Sequence, residues 1–105
     1  MFKLLDGIRI VDLTTIVLGP YATQLLADLG AEVIKVESEE GDVFRAVRPG
    51  RTDDVGTGFM NFNRNKRSVV LDLKSDSGQK ALQDLVIDAD VLVHNMRIKI
   101  GRAHV

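Results

Sequence analysis

Apolar and polar positions divide the 105-residue chain into alternating strand-like and helix-like segments. Residues 8–13 and 31–36 are short, nearly continuously apolar and rich in β-branched side chains, which is typical of strands covered on both faces. Similar segments at 68–73 and 90–94 predict two further strands. The pattern therefore predicts a sheet of four strands.

Two helices are predicted between these strands. The first has Pro20 in its first turn and Gly30 just past its end, the positions that proline and glycine favour. The second is predicted to be capped by Ser75, with Asp76 near the positive end of the helix dipole. Its apolar face consists of Ala81, Leu82, Leu85 and Val86. Strands that alternate with single helices predict an α/β fold, a Rossmann-like parallel sheet with βαβ units and right-handed crossovers.

The segment 38–57 interrupts this alternation, because it lacks apolar periodicity. It is rich in glycine and acidic residues, and it contains three arginines, Arg45, Arg48 and Arg51. Loops of this length are usually functional or mobile. We therefore predict a long loop between the second and third strands.

A single helical turn is predicted at 59–63, before a basic cluster at 64–67. Phe59 and Phe62 could stack on an adenine, but two such residues near the end of a loop more often form the apolar lid of a core. The basic cluster has two interpretations, a solvated turn before a strand or a contact for phosphate or nucleic acid.

Candidate binding positions follow from the sheet type, because parallel sheets bind ligands in the crevice outside the carboxyl ends of their strands. This rule selects residues 14–18, 37–38, 72–74 and 95–97. Lys74 is either a phosphate ligand or an ordinary surface lysine. The dipeptide Gly19–Pro20 is either an anion site at a helix N-terminus or a plain helix start, which we favour.

A dinucleotide-binding unit is the obvious candidate, since Glu37 ends the second strand at a suitable distance from the first. The turn after the first strand, however, contains only Gly19, whereas the fingerprint requires three glycines. NAD is therefore not the predicted ligand.

The charge balance limits the possible partners. The chain has 14 Lys and Arg against 15 Asp and Glu, a net charge of -1, so bulk charge favours neither nucleic acid nor an anionic membrane. It has no run of apolar residues long enough to span a membrane, and the N-terminus lacks the order of a signal peptide. The absence of cysteine excludes a disulfide scaffold and a cysteine nucleophile and agrees with a cytoplasmic location.

Neither histidine belongs to a recognisable catalytic group. His94 lies in the fourth predicted strand, where a structural histidine is the simpler interpretation, and His104 lies near the chain end. No metal-ligand spacing occurs, so no metal is expected.

Several motifs occur in order over residues 4–97. They lie at 5–14, 19–23, 26–37, 63–68, 71–74, Gly78 and 89–95. Together they resemble the start of a family III CoA-transferase, the group that includes formyl-CoA transferase, carnitine CoA-transferase and the α-methylacyl-CoA racemases. The resemblance implies that this is the incomplete N-terminal part of a larger domain.

In that family the N-terminal Rossmann-like part holds the adenosine diphosphate portion of coenzyme A, which enters as acyl-CoA. The resemblance implies coenzyme contacts after three of the strands, at three of the four strand-end positions. The implied residues are Ile16, Val17, Leu71, Asp72, Leu73, Lys74, Asn95, Met96 and Arg97. Ser38 and Met96 replace an arginine and a phenylalanine of the formyl-CoA transferase subgroup, so specificity for formyl-CoA is not implied.

The resemblance also implies a mechanism, in which an aspartate attacks the acyl-CoA carbonyl and CoA passes to a second carboxylic acid. That aspartate would lie beyond Val105, so no catalytic residue is expected in this chain. The alternatives are a racemase, whose acid/base pair would also lie downstream, and a stand-alone CoA- or nucleotide-binding module without catalysis. The whole enzyme is expected to form an interlocked homodimer, and the fragment alone to be poorly stable and inactive.

The last residues depart from the family pattern, which continues after Arg97 with Pro-Gly and another helix. Residues 100–105 can be encoded by ATC GGA AGA GCA CAC GTC, which after AG from a Lys99 codon is the start of a common sequencing adapter. We therefore expect residues 1–99 to be native and 100–105 to be a non-native tail. An ordinary terminal tail is the alternative, and different codons in the nucleotide record would establish it.

Overall fold

The computed structural model describes residues 3–47, 50–52 and 55–96. Its elements are β1 Arg9–Asp12, α1 Leu18–Asp28, β2 Glu32–Glu37, a 3₁₀ helix Val43–Ala46, β3 Gly50–Thr52, β4 Val55–Gly56, α2 Thr57–Asn63, β5 Lys66–Val70, α3 Asp76–Ile87 and β6 Val91–Val93. The main sheet has four parallel strands in the order β5-β2-β1-β6. This confirms the predicted α/β fold with a parallel sheet.

Strand β1 lies inside the sheet and separates two apolar layers. Ile10 faces a cluster with Ala27 of α1 and Val33 of β2. Its neighbour Val11 faces the opposite side, where Leu82 and Leu85 of α3 pack. Full burial of each aliphatic side chain stabilises the fold by about 1.5–3 kcal/mol. Both faces of the sheet are therefore covered, as the apolar strand pattern predicts.

Both helices have the predicted termini. Pro20 lies in the first turn of α1, and Gly30 follows its end with a φ of +107°, a conformation that glycine adopts without strain. In α3 the Ser75 hydroxyl accepts a hydrogen bond of 3.0 Å from the backbone N–H of Gly78. Asp76 occupies the first turn of the same helix.

Two predictions differ from the structure. Strand β5 begins at Lys66 and ends at Val70, whereas the apolar pattern predicts residues 68–73. The shift arises because the Lys66 side chain is only 1% exposed and pairs with a buried carboxylate. The predicted loop 38–57 contains a 3₁₀ helix and the antiparallel pair β3–β4.

Residues 97–105 lie outside the described part, so the predictions for Arg97, His104 and the tail at 100–105 are not addressed by the structure. Within the described ranges, the helices are all too short or too polar to cross a membrane.

Candidate functional site

A pocket of about 440 Å³ lies at the carboxyl ends of the strands, and we refer to it as the strand-end pocket. The segments after β1, β2, β5 and β6 all contribute to its lining. Its apolar wall includes Leu13, Leu71, Leu73 and Met96. The volume is within the range of about 300–1,000 Å³ that is usual for small-molecule sites.

The strand-end pocket gathers five of the nine residues that sequence analysis selects. These five are Leu71, Asp72, Leu73, Lys74 and Met96. Ile16, Val17 and Asn95 do not line it, although Thr15 next to Ile16 does. Arg97 lies outside the described residues.

The turn that presents Lys74 is built from local hydrogen bonds. A carboxylate oxygen of Asp72 accepts a bond of 3.0 Å from the backbone N–H of Lys74. The backbone oxygen of Asp72 accepts a hydrogen bond of 2.8 Å from the Ser75 hydroxyl. A Cβ on Gly78 would lie only 1.8 Å from that same oxygen, so only glycine permits α3 to approach the turn this closely.

Carboxylates outnumber lysine at the pocket wall. Glu39, Glu40 and Asp72 line it together with Lys74. The backbone N–H of Glu40 and the Ser38 hydroxyl lower the pKa of Glu40, and the positive charge of Lys74 lowers it further. Glu40 therefore remains ionised and competes with any anionic ligand for the charge of Lys74.

The loop after β1, residues 14–17, is anchored at three successive residues, and we refer to it as the post-β1 loop. Lys35 Nζ donates 3.0 Å to the backbone oxygen of Thr14. The Asn95 side chain donates 3.0 Å to the backbone oxygen of Thr15 and accepts 3.3 Å from its N–H. The N–H of Ile16 donates to both oxygens of Asp42, at 3.1 and 3.2 Å. The loop is therefore held by elements that are distant in sequence.

Lys35 Nζ also lies 2.9 Å from the buried Asp42 carboxylate, and a second buried ion pair contacts the same loop at Thr14. Lys66 Nζ is 3.0 Å from the Asp12 carboxylate, which also accepts hydrogen bonds from Thr14 and Thr23. Burial raises the pKa of Asp12, but these hydrogen bonds and the Lys66 charge outweigh burial and lower it. Burial lowers the pKa of Lys66, and its attraction to Asp12 offsets only part of that effect.

Neither interpretation of the basic cluster at 64–67 holds for Lys66, which points into the protein. Its Nζ also donates 3.0 Å to the backbone oxygen of Pro20. Arg64 and Asn65 donate to the Asp28 carboxylate at 2.9 and 2.8 Å. Arg67 Nη1 lies 3.8 Å from the Glu32 carboxylate, so all four cluster residues have protein partners.

Glu37 is engaged with protein groups on both carboxylate oxygens. Arg45 donates to the two oxygens at 2.7 Å each, the backbone N–H of Asp42 donates at 2.9 Å, and the Ser68 hydroxyl also donates. Burial raises the pKa of Glu37, but these hydrogen bonds and the charge of Arg45 outweigh burial and hold it at about 2. Both carboxylate oxygens of Glu37 are therefore engaged with groups of the protein itself.

The Phe59 side chain covers this ion pair from one side. Its ring centroid lies 4.1 Å from the guanidinium of Arg45, and the residue is buried. Phe62 contacts Tyr21 edge to face, with ring centroids 5.6 Å apart. Phe59 is therefore a lid over the core, the interpretation that the sequence favours.

His94 lies just after β6 and not within the strand, where the sequence predicts it, and it has a local structural role. Its Nδ1 accepts a hydrogen bond of 3.2 Å from the backbone N–H of Met96. Among residues 3–47, 50–52 and 55–96, no three His, Cys, Asp or Glu side chains are grouped in a way that could hold a metal ion.

Four buried charged residues organise this region, and the pattern of apolar positions does not show their role. They are Asp12, Lys35, Asp42 and Lys66. A signal for Lys35 was present, because a lysine in a strand that is covered on both faces must have a buried partner.

The fold and the pocket define an α/β protein with a ligand crevice at the carboxyl ends of its parallel strands. The sequence model of the family described as "CoA-transferase family III" matches residues 5–103, and the chain belongs to this family.

Relatives of known name agree with this assignment. The chain is 45% identical over 97 residues to a succinyl-CoA:mesaconate CoA-transferase of Haloarcula hispanica, covering 89% of this chain and 24% of that protein. It is 44% identical over 93 residues to a formyl-CoA:oxalate CoA-transferase of Streptomyces coelicolor, covering 89% and 23%. The chain thus spans about a quarter of the length of these relatives.

A solved structure shares the fold. The crystal structure of a CAIB/BAIF family protein from Brucella suis superposes with a TM-score of 0.90 at 36% identity. The match covers 99% of this chain and 29% of that one.

Proposed function

We propose that this chain is the N-terminal, coenzyme-binding part of a CoA-transferase that moves CoA between carboxylic acids. The observation that carries the proposal is the convergence of Leu71, Asp72, Leu73, Lys74 and Met96 on one pocket. The strand-end rule for parallel sheets and the family resemblance both selected Asp72, Leu73, Lys74 and Met96, and the resemblance alone selected Leu71. Their proximity in the structure supports a shared ligand.

The donors and surfaces in the strand-end pocket fit the adenosine diphosphate portion of coenzyme A. The apolar side chains of Leu71, Leu73 and Met96 provide a surface on which an adenine can pack. Lys74 is the cation available there to a phosphate. The negative charge of the neighbouring Glu40 opposes an anion at Lys74.

The chemical step is proposed to occur outside this chain. An aspartate beyond Val105 would attack the acyl-CoA carbonyl and expel CoA thiolate, leaving an acyl–aspartyl anhydride. The thiolate would then attack the aspartyl carbonyl and release the donor carboxylate. Attack of the second carboxylate on the resulting aspartyl thioester would again expel the thiolate, which would take the acceptor acyl group from the new anhydride and free the aspartate. The role of the described residues is to bind and orient the coenzyme, and the chain alone is proposed to be inactive. For the whole enzyme we propose an interlocked homodimer in the cytoplasm.

Calorimetric titration of the 105-residue chain with CoA tests the binding part of the proposal. We expect CoA to bind, adenosine 3′,5′-bisphosphate to compete and pantetheine, which lacks the nucleotide, to have no effect. Lys74→Met should weaken binding about tenfold, since a hydrogen bond to a charged group contributes on that order. Lys80→Met is the matched control, because Lys80 pairs with Asp84 on the surface. Absence of heat and of protection by CoA in the folded chain would refute the proposal.

The product of the contiguous gene tests the reaction. Incubation with succinyl-CoA and a panel of dicarboxylic acids should give a new CoA thioester, detectable by mass spectrometry. Exchange of the α-proton of a 2-methylacyl-CoA with solvent deuterium, without transfer, would instead establish the racemase alternative. Binding of CoA without either reaction would support the remaining alternative, a coenzyme-binding module without catalysis.

A further inference from the structure

The backbone of Ile16 has a conformation that its own side chain disfavours. Its φ is +77°, in the left-handed region, which a β-branched residue rarely adopts because its side chain crowds the backbone. Such conformations persist only where surrounding contacts impose them, and they concentrate at ligand-binding segments. The post-β1 loop therefore requires an external restraint at this residue.

The Asp42 carboxylate provides this restraint. Both of its oxygens accept a hydrogen bond from the N–H of Ile16. One of them also accepts a hydrogen bond of 2.9 Å from the N–H of Phe44. The carboxylate is fully buried and lies 2.9 Å from Lys35 Nζ, which is 1% exposed. Lys35 in turn donates to the backbone oxygen of Thr14. The pair Lys35–Asp42 thus fixes the loop on both sides of Thr15, which lines the strand-end pocket.

We propose that Lys35 and Asp42 are positioning residues for coenzyme binding, which hold the post-β1 loop in its strained, binding-competent form. This inference rests on the proposed function. The pair touches the loop backbone, and it acts on the ligand through Thr15 and the adjacent Ile16 and Val17. Preorganisation of this kind raises affinity because the bound conformation is already formed before the ligand arrives.

The second buried pair, Asp12–Lys66, offers a matched comparison. The Lys66 side chain is equally buried, and its Nζ donates to Asp12, Pro20 and Asn63. This pair contacts the post-β1 loop at Thr14, through Asp12, whereas the N–H of the strained Ile16 is held by Asp42. Loss of either lysine leaves a buried carboxylate without its cation, so both substitutions destabilise the fold. Because Asp42, and not Lys66, holds the N–H of Ile16, substitution of Asp42 should weaken coenzyme binding more than substitution of Lys66 does.

The test measures CoA affinity and urea stability of the 105-residue chain and its variants. Asp42→Asn should weaken CoA binding about tenfold. Without the carboxylate, Ile16 relaxes from its strained conformation, and the ligand must restore that conformation when it binds. Lys66→Met should lower stability, but the CoA affinity of its folded molecules, corrected for the unfolded fraction that urea denaturation gives, should change by less than about twofold. If Asp42→Asn does not fold, Asp42→Glu replaces it, because glutamate keeps the charge but displaces the carboxylate from the Ile16 N–H.

A rescue variant separates positioning from stability. Glycine adopts a positive φ without strain, so Ile16→Gly removes the need for the restraint. In the Ile16→Gly background, Asp42→Asn should weaken CoA binding by less than about threefold, although the stability loss remains. An equal loss of affinity in both backgrounds, or an equal loss in Lys66→Met, would overturn the inference. Failure of the unaltered, folded chain to bind CoA would refute the proposed function itself.

Discussion

Asn95 uses both ends of its side-chain amide to hold the backbone of Thr15. Nδ2 donates 3.0 Å to the Thr15 oxygen, and Oδ1 accepts 3.3 Å from the Thr15 N–H. Thr15 lines the strand-end pocket, whereas Asn95 does not. The paired bonds connect the end of β6 to the loop after β1, so Asn95 can influence a ligand through Thr15.

Asn95→Asp should weaken CoA binding more than Asn95→Ala. The aspartate places a second acceptor against the Thr15 oxygen and repels it, whereas alanine only removes the two bonds. We expect about tenfold weaker binding for the aspartate variant, which corresponds to the loss of one hydrogen bond with added repulsion. Titration calorimetry measures the effect. The prediction is wrong if the Asn95→Asp variant binds CoA as tightly as the unaltered chain does.

Glu40→Gln should strengthen CoA binding, in contrast to substitutions of Lys74. Glu40 is close enough to Lys74 for the lysine charge to lower its pKa, so it competes with phosphate for that cation. Removing the carboxylate should increase affinity about two- to fivefold at low salt and less at high salt, because exposed charges are screened. The comparison requires titrations at two ionic strengths. Glu32→Gln is a suitable control, since Glu32 lies at the amino end of β2.

Lys66→Met should destabilise the chain strongly. The substitution leaves the buried Asp12 carboxylate without its cation, a change that costs about 3–5 kcal/mol in comparable buried pairs. Urea denaturation followed by circular dichroism measures the loss. The control Lys80→Met removes an exposed pair and should cost at most about 0.5 kcal/mol. Equal losses in the two variants would show that burial of the pair is unimportant.

Acid should destabilise the fold through Glu37. Its pKa is about 2 in the folded chain, below the ordinary value of 4.5. A carboxyl whose folded pKa is depressed stabilises the fold above its unfolded pKa, and this stabilisation declines as the pH falls from 4.5 toward 2. The Asp12 carboxylate adds to this loss of stability in acid, since its pKa is also lowered in the folded chain.

Urea denaturation at several pH values measures this dependence. Glu37→Gln removes the titrating group, so its stability should fall less steeply between pH 4.5 and 2 than that of the unaltered chain. The slope is compared rather than the absolute stability, because the substitution also weakens the pairing with Arg45. Parallel curves for the two chains would show that Glu37 does not carry the acid response.

The sequence predicts the fold well because its signals are local. Continuous apolar strands, the cap at Ser75 and the glycine at Gly30 each specify an element from a few neighbouring residues, and the structure has all of these features. The strand-end rule also selects residues 72–74, which the structure places at the pocket wall.

The buried ion pairs could not be predicted in the same way, because their partners are distant in sequence. Lys66 and Asp12 are 54 positions apart, and a pattern that treats charged residues as exposed places the start of β5 too late. The same limitation hid the partnership of Lys35 with Asp42. Only the folded arrangement shows which charges neutralise each other.

Burial also controls which amines a reagent can reach. Lys35 and Lys66 are each 1% exposed at the side chain, whereas Lys74 and Lys80 lie at the surface. An amine-reactive acylating agent, including a reactive thioester, should therefore modify the surface lysines of the folded chain and spare the two buried ones. Acylation at Lys35 or Lys66 would then mark molecules that have unfolded, and the modification pattern would report the integrity of a preparation before any activity is measured.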